Sequence, residues 1–128
     1  MPNNLDRAEA NRLLDATLGS AAFPAPTLPI RIALNTVTGT NTSAGTELSG
    51  GSYARQPVTF GAASGFTATN NVAVTFTNLP AAVITGIELY DSASTPRRSW
   101  VGALTASKTV VAGDSLSFGV STLTITNQ

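Results

Sequence analysis

From Ile30 onward, apolar and polar positions alternate in short runs. Ile30, Ile32 and Leu34 alternate with Arg31 and Ala33, and Val72, Val74 and Phe76 alternate with Ala73 and Thr75. Val83, Thr85, Ile87 and Leu89 share one face of a run whose other face is Ile84, Gly86, Glu88 and Tyr90. Trp100, Gly102 and Leu104 alternate with Val101 and Ala103. Leu116 and Phe118 make a shorter run, and Leu123 and Ile125 lie among Thr122, Thr124 and Thr126. A pleated strand sends successive side chains to opposite faces, so each run predicts a half-buried strand. Asn70-Asn71, Thr95-Pro96 and Ala112-Gly113-Asp114 supply turns between them. Pro57 removes a backbone donor from the run 53–60, which predicts an edge strand or a bulge there. Short strands separated by turns make the chain mainly β, an antiparallel β-sandwich. Trp100 is expected at its centre, beside Phe76, Phe118 and Leu89.

The first residues follow a different period. Ala10, Leu13, Leu14, Thr17 and Leu18 fall on one arc of a short helix. Asn3 or Asn4 is placed to cap it, Asp6 and Glu9 favour its first turns, and Gly19 ends it. So narrow an apolar stripe needs a surface, either on its own domain or on a neighbouring subunit. The proline-rich connector that follows, Phe23-Pro24-Ala25-Pro26-Thr27-Leu28-Pro29, holds an extended path. The predicted division is therefore an N-terminal helix and arm over 1–29, then a sandwich domain over 30–128. Within that domain, residues 35–52 are almost all Thr, Asn, Ser and Gly. This is a long loop or hairpin whose Val37 and Leu48 are candidate subunit contacts. Leu13, Leu14 and Leu18 on the helix, and Arg97 and Arg98 beside Trp100, complete the candidate contacts. The arginine pair reads equally as a solvated strand end.

Composition narrows the functional classes. The 128 residues suit one domain. Hydrophobic residues are 42% of the chain but charged residues only 11%, against about 25% in typical domains. A neutral polar surface fits a protein packed against neighbours. Seven basic and seven acidic side chains cancel, so little drives nucleic-acid binding. There is no histidine and no cysteine, which removes the commonest general base, metal ligand and thiol nucleophile. Among the seven carboxylates, Glu88 and Asp91 are close in sequence, but Asp91 opens an Asx-type turn. Glu88, placed mid-strand, requires a partner if buried, with Arg31 or Arg55 the candidates. No enzyme, cofactor or metal site is expected. A carbohydrate-binding module would need clustered exposed aromatics, and one Trp with two Tyr offers few. No apolar run approaches the ~20 residues of a membrane span, and the first residues lack a signal peptide's apolar core.

Three stretches carry a resemblance. They are Gly45-Thr46-Glu47-Leu48-Ser49-Gly50-Gly51-Ser52-Tyr53-Ala54-Arg55-Gln56, Ile87-Glu88-Leu89-Tyr90-Asp91, and Gly102-Ala103-Leu104-Thr105-Ala106-Ser107-Lys108-Thr109-Val110-Val111-Ala112-Gly113-Asp114. In this order they resemble a family of small virion proteins of tailed bacteriophages, often labelled tail fibre protein. The resemblance runs over nearly the whole chain. It implies a structural protein of the virion, assembled in the host cytoplasm. The first expectation is an auxiliary protein that decorates or cements the capsid, bound to the major capsid protein and repeated as a homo-oligomer on the particle. The alternative is a tail-tip or fibre-associated protein bound to tail proteins and involved in host contact.

Overall fold

The computed structural model describes residues 3–127. Within them the elements run β1 (Asn3–Leu5), α1 (Arg7–Thr17), β2 (Ile30–Val37), β3 (Thr46–Glu47), β4 (Gln56–Val58), β5 (Thr67–Thr69), β6 (Val74–Leu79), β7 (Ala82–Tyr90), β8 (Arg98–Val110), β9 (Asp114–Phe118) and β10 (Thr124–Thr126). The main sheet has the order β1-β8-β7-β2-β3, with β4 also paired to β2, and every pairing is antiparallel. Two ribbons, β6–β9 and β5–β10, form the second layer. The fold is mainly β and antiparallel with one short helix, as the alternation predicts. Its second layer is split in two.

Register explains which side chains meet. Ile32, Leu89, Trp100 and Leu5 stand in one row across the sheet, and Ala33, Glu88, Val101 and Asn4 in the next. Neighbouring rows point to opposite faces. On the first face Ile32, Leu34, Ile84, Ile87 and Leu89 join a core with Val74, Phe76, Leu79, Leu116, Leu123 and Ile125 of the ribbons. Phe76 lies parallel to Tyr53 at 6.0 Å and meets Phe118 edge-on at 6.5 Å.

Several expectations are corrected. Val83 does not share the core face with Ile87: it is 46% exposed, and Ile84 is fully buried instead. The register of β7 on β8 shifts between Ile84 and Gly86, where β8 runs from Lys108 to Ala103. Regular pairing is interrupted there, and the alternation that holds over Gly86–Leu89 does not carry through to Val83. Residues 3–5 are a strand paired to β8, and Asp6 caps the helix by accepting from Ala8 N–H at 2.8 Å. Gly19, at φ +83°, ends the helix as expected. The prolines therefore do not isolate an arm, because the chain ahead of them is part of the sheet. Asn3 also joins β1 to β10: its side chain donates to the Thr126 carbonyl at 2.9 Å and accepts from the Thr126 N–H at 3.2 Å.

Residues 35–52 take the hairpin alternative. β3 returns along β2, pairing Glu47 with Asn35 and Thr46 with Val37. The Leu48 N–H then donates to the Leu34 carbonyl at 2.9 Å, and Leu48 enters the core at 5% exposure. It is not a contact residue. The segment is ordered by its own sheet.

Candidate functional site

The face of the main sheet away from the core carries a charge network beneath the hairpin. Glu88 is 1% exposed at its centre. One carboxylate oxygen accepts from Arg98 Nη1 at 2.5 Å and from the Gly45 N–H at 3.1 Å, and the other accepts from the Tyr90 hydroxyl at 3.2 Å. Arg98 also donates to Asp6 at 2.9 Å, to the Ser43 carbonyl at 3.0 Å and to the Thr40 carbonyl at 2.8 Å. One guanidinium thus binds the N-terminal segment, the hairpin and the sheet together. Five donors in a rigid fork suit arginine to that task. Neither Arg31 nor Arg55 pairs with Glu88. Arg31 donates to Ser92 at 3.0 Å, and Arg55 forms a two-pronged pair with Glu47 at 2.8 and 3.0 Å.

Gly45 is required by this closeness. A β-carbon there would lie 2.3 Å from the Val37 carbonyl oxygen and 2.6 Å from Asn35 Nδ2. The Arg55 guanidinium lies over the Tyr90 ring at 3.8 Å, so the two ion-pair groups adjoin. Burial, with the Glu88 carboxylate beside it, pushes the Tyr90 phenol up to about 12. Burial likewise raises Tyr53, whose hydroxyl donates to Glu47 at 2.6 Å. Burial opposes ionisation of Glu47, but the hydrogen bonds from Arg55 and Tyr53 outweigh it and hold its carboxyl below 4.5.

On the other face, at the start of β8, lies a cleft of about 480 Å³. Its apolar lining includes Ile30, Phe60, Phe66, Leu89, Trp100 and Ile125. Trp100 is half-buried on this wall and packs against the core from its edge. It is beside Leu89, as expected, but is not at the sandwich centre. Glu9, Asp91 and Arg97 form the polar wall, and they bind one another and the backbone. Glu9, 4% exposed, pairs with Arg97 at 2.7 Å and Arg12 at 2.5 Å. Asp91 accepts from the N–H groups of Arg97 at 2.8 Å, Thr27 at 3.2 Å and Ala93 at 3.3 Å, fixing the predicted turn. The Arg97 N–H does most to lower its carboxyl, against burial, with the other two adding to it. At the rim, Phe66 is 79% exposed with φ +65°, next to Gly65 at φ +57°. A bulky side chain in that left-handed region is an uncommon, strained choice.

The candidate contacts therefore separate. Leu13, Leu14 and Leu18 are exposed at 37%, 57% and 77%, and Val37 at 59%. Arg97 and Arg98 are internal clamps, their side chains only 20% and 9% exposed, and not an outward pair. Phe66 was missed, since nothing in an isolated Gly-Phe says that the phenylalanine faces water. Asp6 and Glu9 carry the signature of a helix start, which conceals their second role as partners of Arg98 and Arg97. Among the described residues no group of acidic side chains is arranged to hold a metal ion, and no helix is long and apolar enough to cross a membrane.

Fold and surface together define a small antiparallel β structural domain, most of its carboxylates gathered into clamps and the leucines of its helix left outward. Residues 4–126 match the family described as Podophage GP4 fiber I protein gp80, and the chain belongs to that family. It is a bacteriophage structural protein of fibre type, a component of the virion. No curated protein matches the chain.

Proposed function

We propose that the chain is a fibre-associated structural subunit at the phage tail, acting through contacts with other virion proteins and with copies of itself, and performing no catalysis. The observation that carries this reading is the family match, which spans nearly the whole chain and so describes the entire domain. The capsid-cement reading relied on an arm and a loop free to grip neighbours. Both are committed to this domain's own sheet, through β1 on β8 and β3 on β2. The absence of chemistry is supported by how the carboxylates are used. Asp6, Glu9, Glu47 and Glu88 each hold an arginine, Asp91 caps a turn, and Asp114 accepts from the Val111 N–H. The hydroxyls that Glu47 and Glu88 accept from, those of Tyr53 and Tyr90, are phenols that burial makes harder to ionise. Asp15 stands exposed on α1 away from the cleft, so no carboxylate is placed for general-base work there. Copy number is the test. A quantitative gel of purified particles is expected to give a handful of copies per virion. Hundreds of copies would instead mean decoration of the shell.

A further inference from the structure

The helix α1 is attached to its domain by the wrong side for an amphipathic helix. Its only buried residue is Glu9, clamped by Arg97, and its leucines point to water. A surface helix normally turns its apolar stripe inward. Here Glu9 is inward, and the exposed Leu14 and Leu18, in line with the half-buried Ala10 at spacings of four, make an outward ridge with Leu13 alongside. Such a face marks a contact that the isolated domain does not make.

The charges around the ridge say what fits it. Arg7 stands at the start of the helix and Asp15 in its last turns, both exposed, and neither joins an ion pair among the described residues. They lie toward the same flank of the ridge, eight residues and so about 12 Å apart along the axis. In a parallel pair of such helices Arg7 faces Arg7 and Asp15 faces Asp15, which repels. In an antiparallel pair with Ala10 of one helix against Leu14 of the other, each Arg7 lies two residues, about 3 Å along the axis, from level with the other copy's Asp15, a gap that the long arginine side chain spans. The small Ala10 lets the backbones approach while Leu14 fills the space beside it. A two-fold axis supplies both ion pairs at once.

We infer that the outward face of α1 is a self-association surface, on which a second copy of this chain docks antiparallel about a two-fold axis through Leu14, Ala10 and the Arg7–Asp15 pair. The contact is small, so it is weak for free protein and strengthened where copies are held together on a particle. It does not depend on where in the virion the chain sits, so it stands or falls separately from the tail assignment.

Sedimentation equilibrium of the full chain over a concentration series, up to roughly 1 mM, tests it. A reversible dimer is expected for the native sequence. Leu14→Glu should abolish it while circular dichroism shows an unchanged fold, since Leu14 is 57% exposed. Arg7→Asp and Asp15→Arg should each weaken it about tenfold, because each reversal acts at two symmetry-related places. The double variant, with both reversals, should recover most of the native affinity. A native chain that stays monomeric, or a dimer indifferent to Leu14→Glu, overturns the proposal. A dimer weakened by each reversal but not restored by the pair overturns the antiparallel arrangement.

Discussion

Glu88 and Arg98 show how much one pair of side chains decides. Alternation along β7 places Glu88 mid-strand, and elementary electrostatics then requires a partner. Which arginine answers was not legible, because Arg98 reaches Glu88 only once the β7–β8 hairpin sets its register. Breaking a buried pair from one side leaves an unpaired charge. Arg98→Met is therefore expected to cost about 3–5 kcal/mol in urea unfolding, out of a total of ~5–15 for a domain. The double variant Glu88→Gln with Arg98→Met should cost less than the sum of its parts. Gly45→Ala should also destabilise, since its β-carbon meets backbone at 2.3 Å and no flexible side chain can yield. Acid tests the same chemistry. Glu47 and Asp91 hold protons less readily when folded, so the unfolded chain binds more of them as pH falls below 4.5 and 3.8. The melting midpoint should be flat above about pH 5 and drop on acidification, with Glu47→Gln reducing the drop.

At the scale of elements, strand positions were readable because period two survives in most runs. β7 is the exception that teaches most. Its pattern has no mark where the register with β8 shifts, so alternation alone exchanges the outward Val83 and the inward Ile84. The N-terminal segment shows a helical period only, because Asn3–Leu5 is too short to show a strand period. Pairing to β8 and two carboxylate–arginine pairs, Glu9 with Arg97 and Asp6 with Arg98, tie that segment to the sheet. Deleting residues 1–19 is accordingly expected to lower the unfolding midpoint markedly, leaving Arg97 and Arg98 without the carboxylates of Glu9 and Asp6. By contrast Leu14→Ser, on the outward face, should leave it within a degree or two. Trp100→Ala falls between, because the ring is half-buried on the cleft wall and not at the core centre.

The whole molecule is a β scaffold with an apolar core between its layers, most of its carboxylates held in clamps, and the leucines of the helix left outward. Low charge content already pointed to a surface made for neighbours, and no enzyme was expected from a chain without histidine or cysteine. What composition does not convey is which neighbours, since contact surfaces have no period and no motif. The fibre-type family assigns the chain to the virion, and the proposal assigns it to the tail. Gold-labelled antibodies against the folded domain, applied to intact purified particles and imaged by electron microscopy, test that most directly. The account predicts label at the tail, on the fibres or at their attachment. Label spread over the capsid faces, or none on particles that contain the chain's family of fibres, would contradict it.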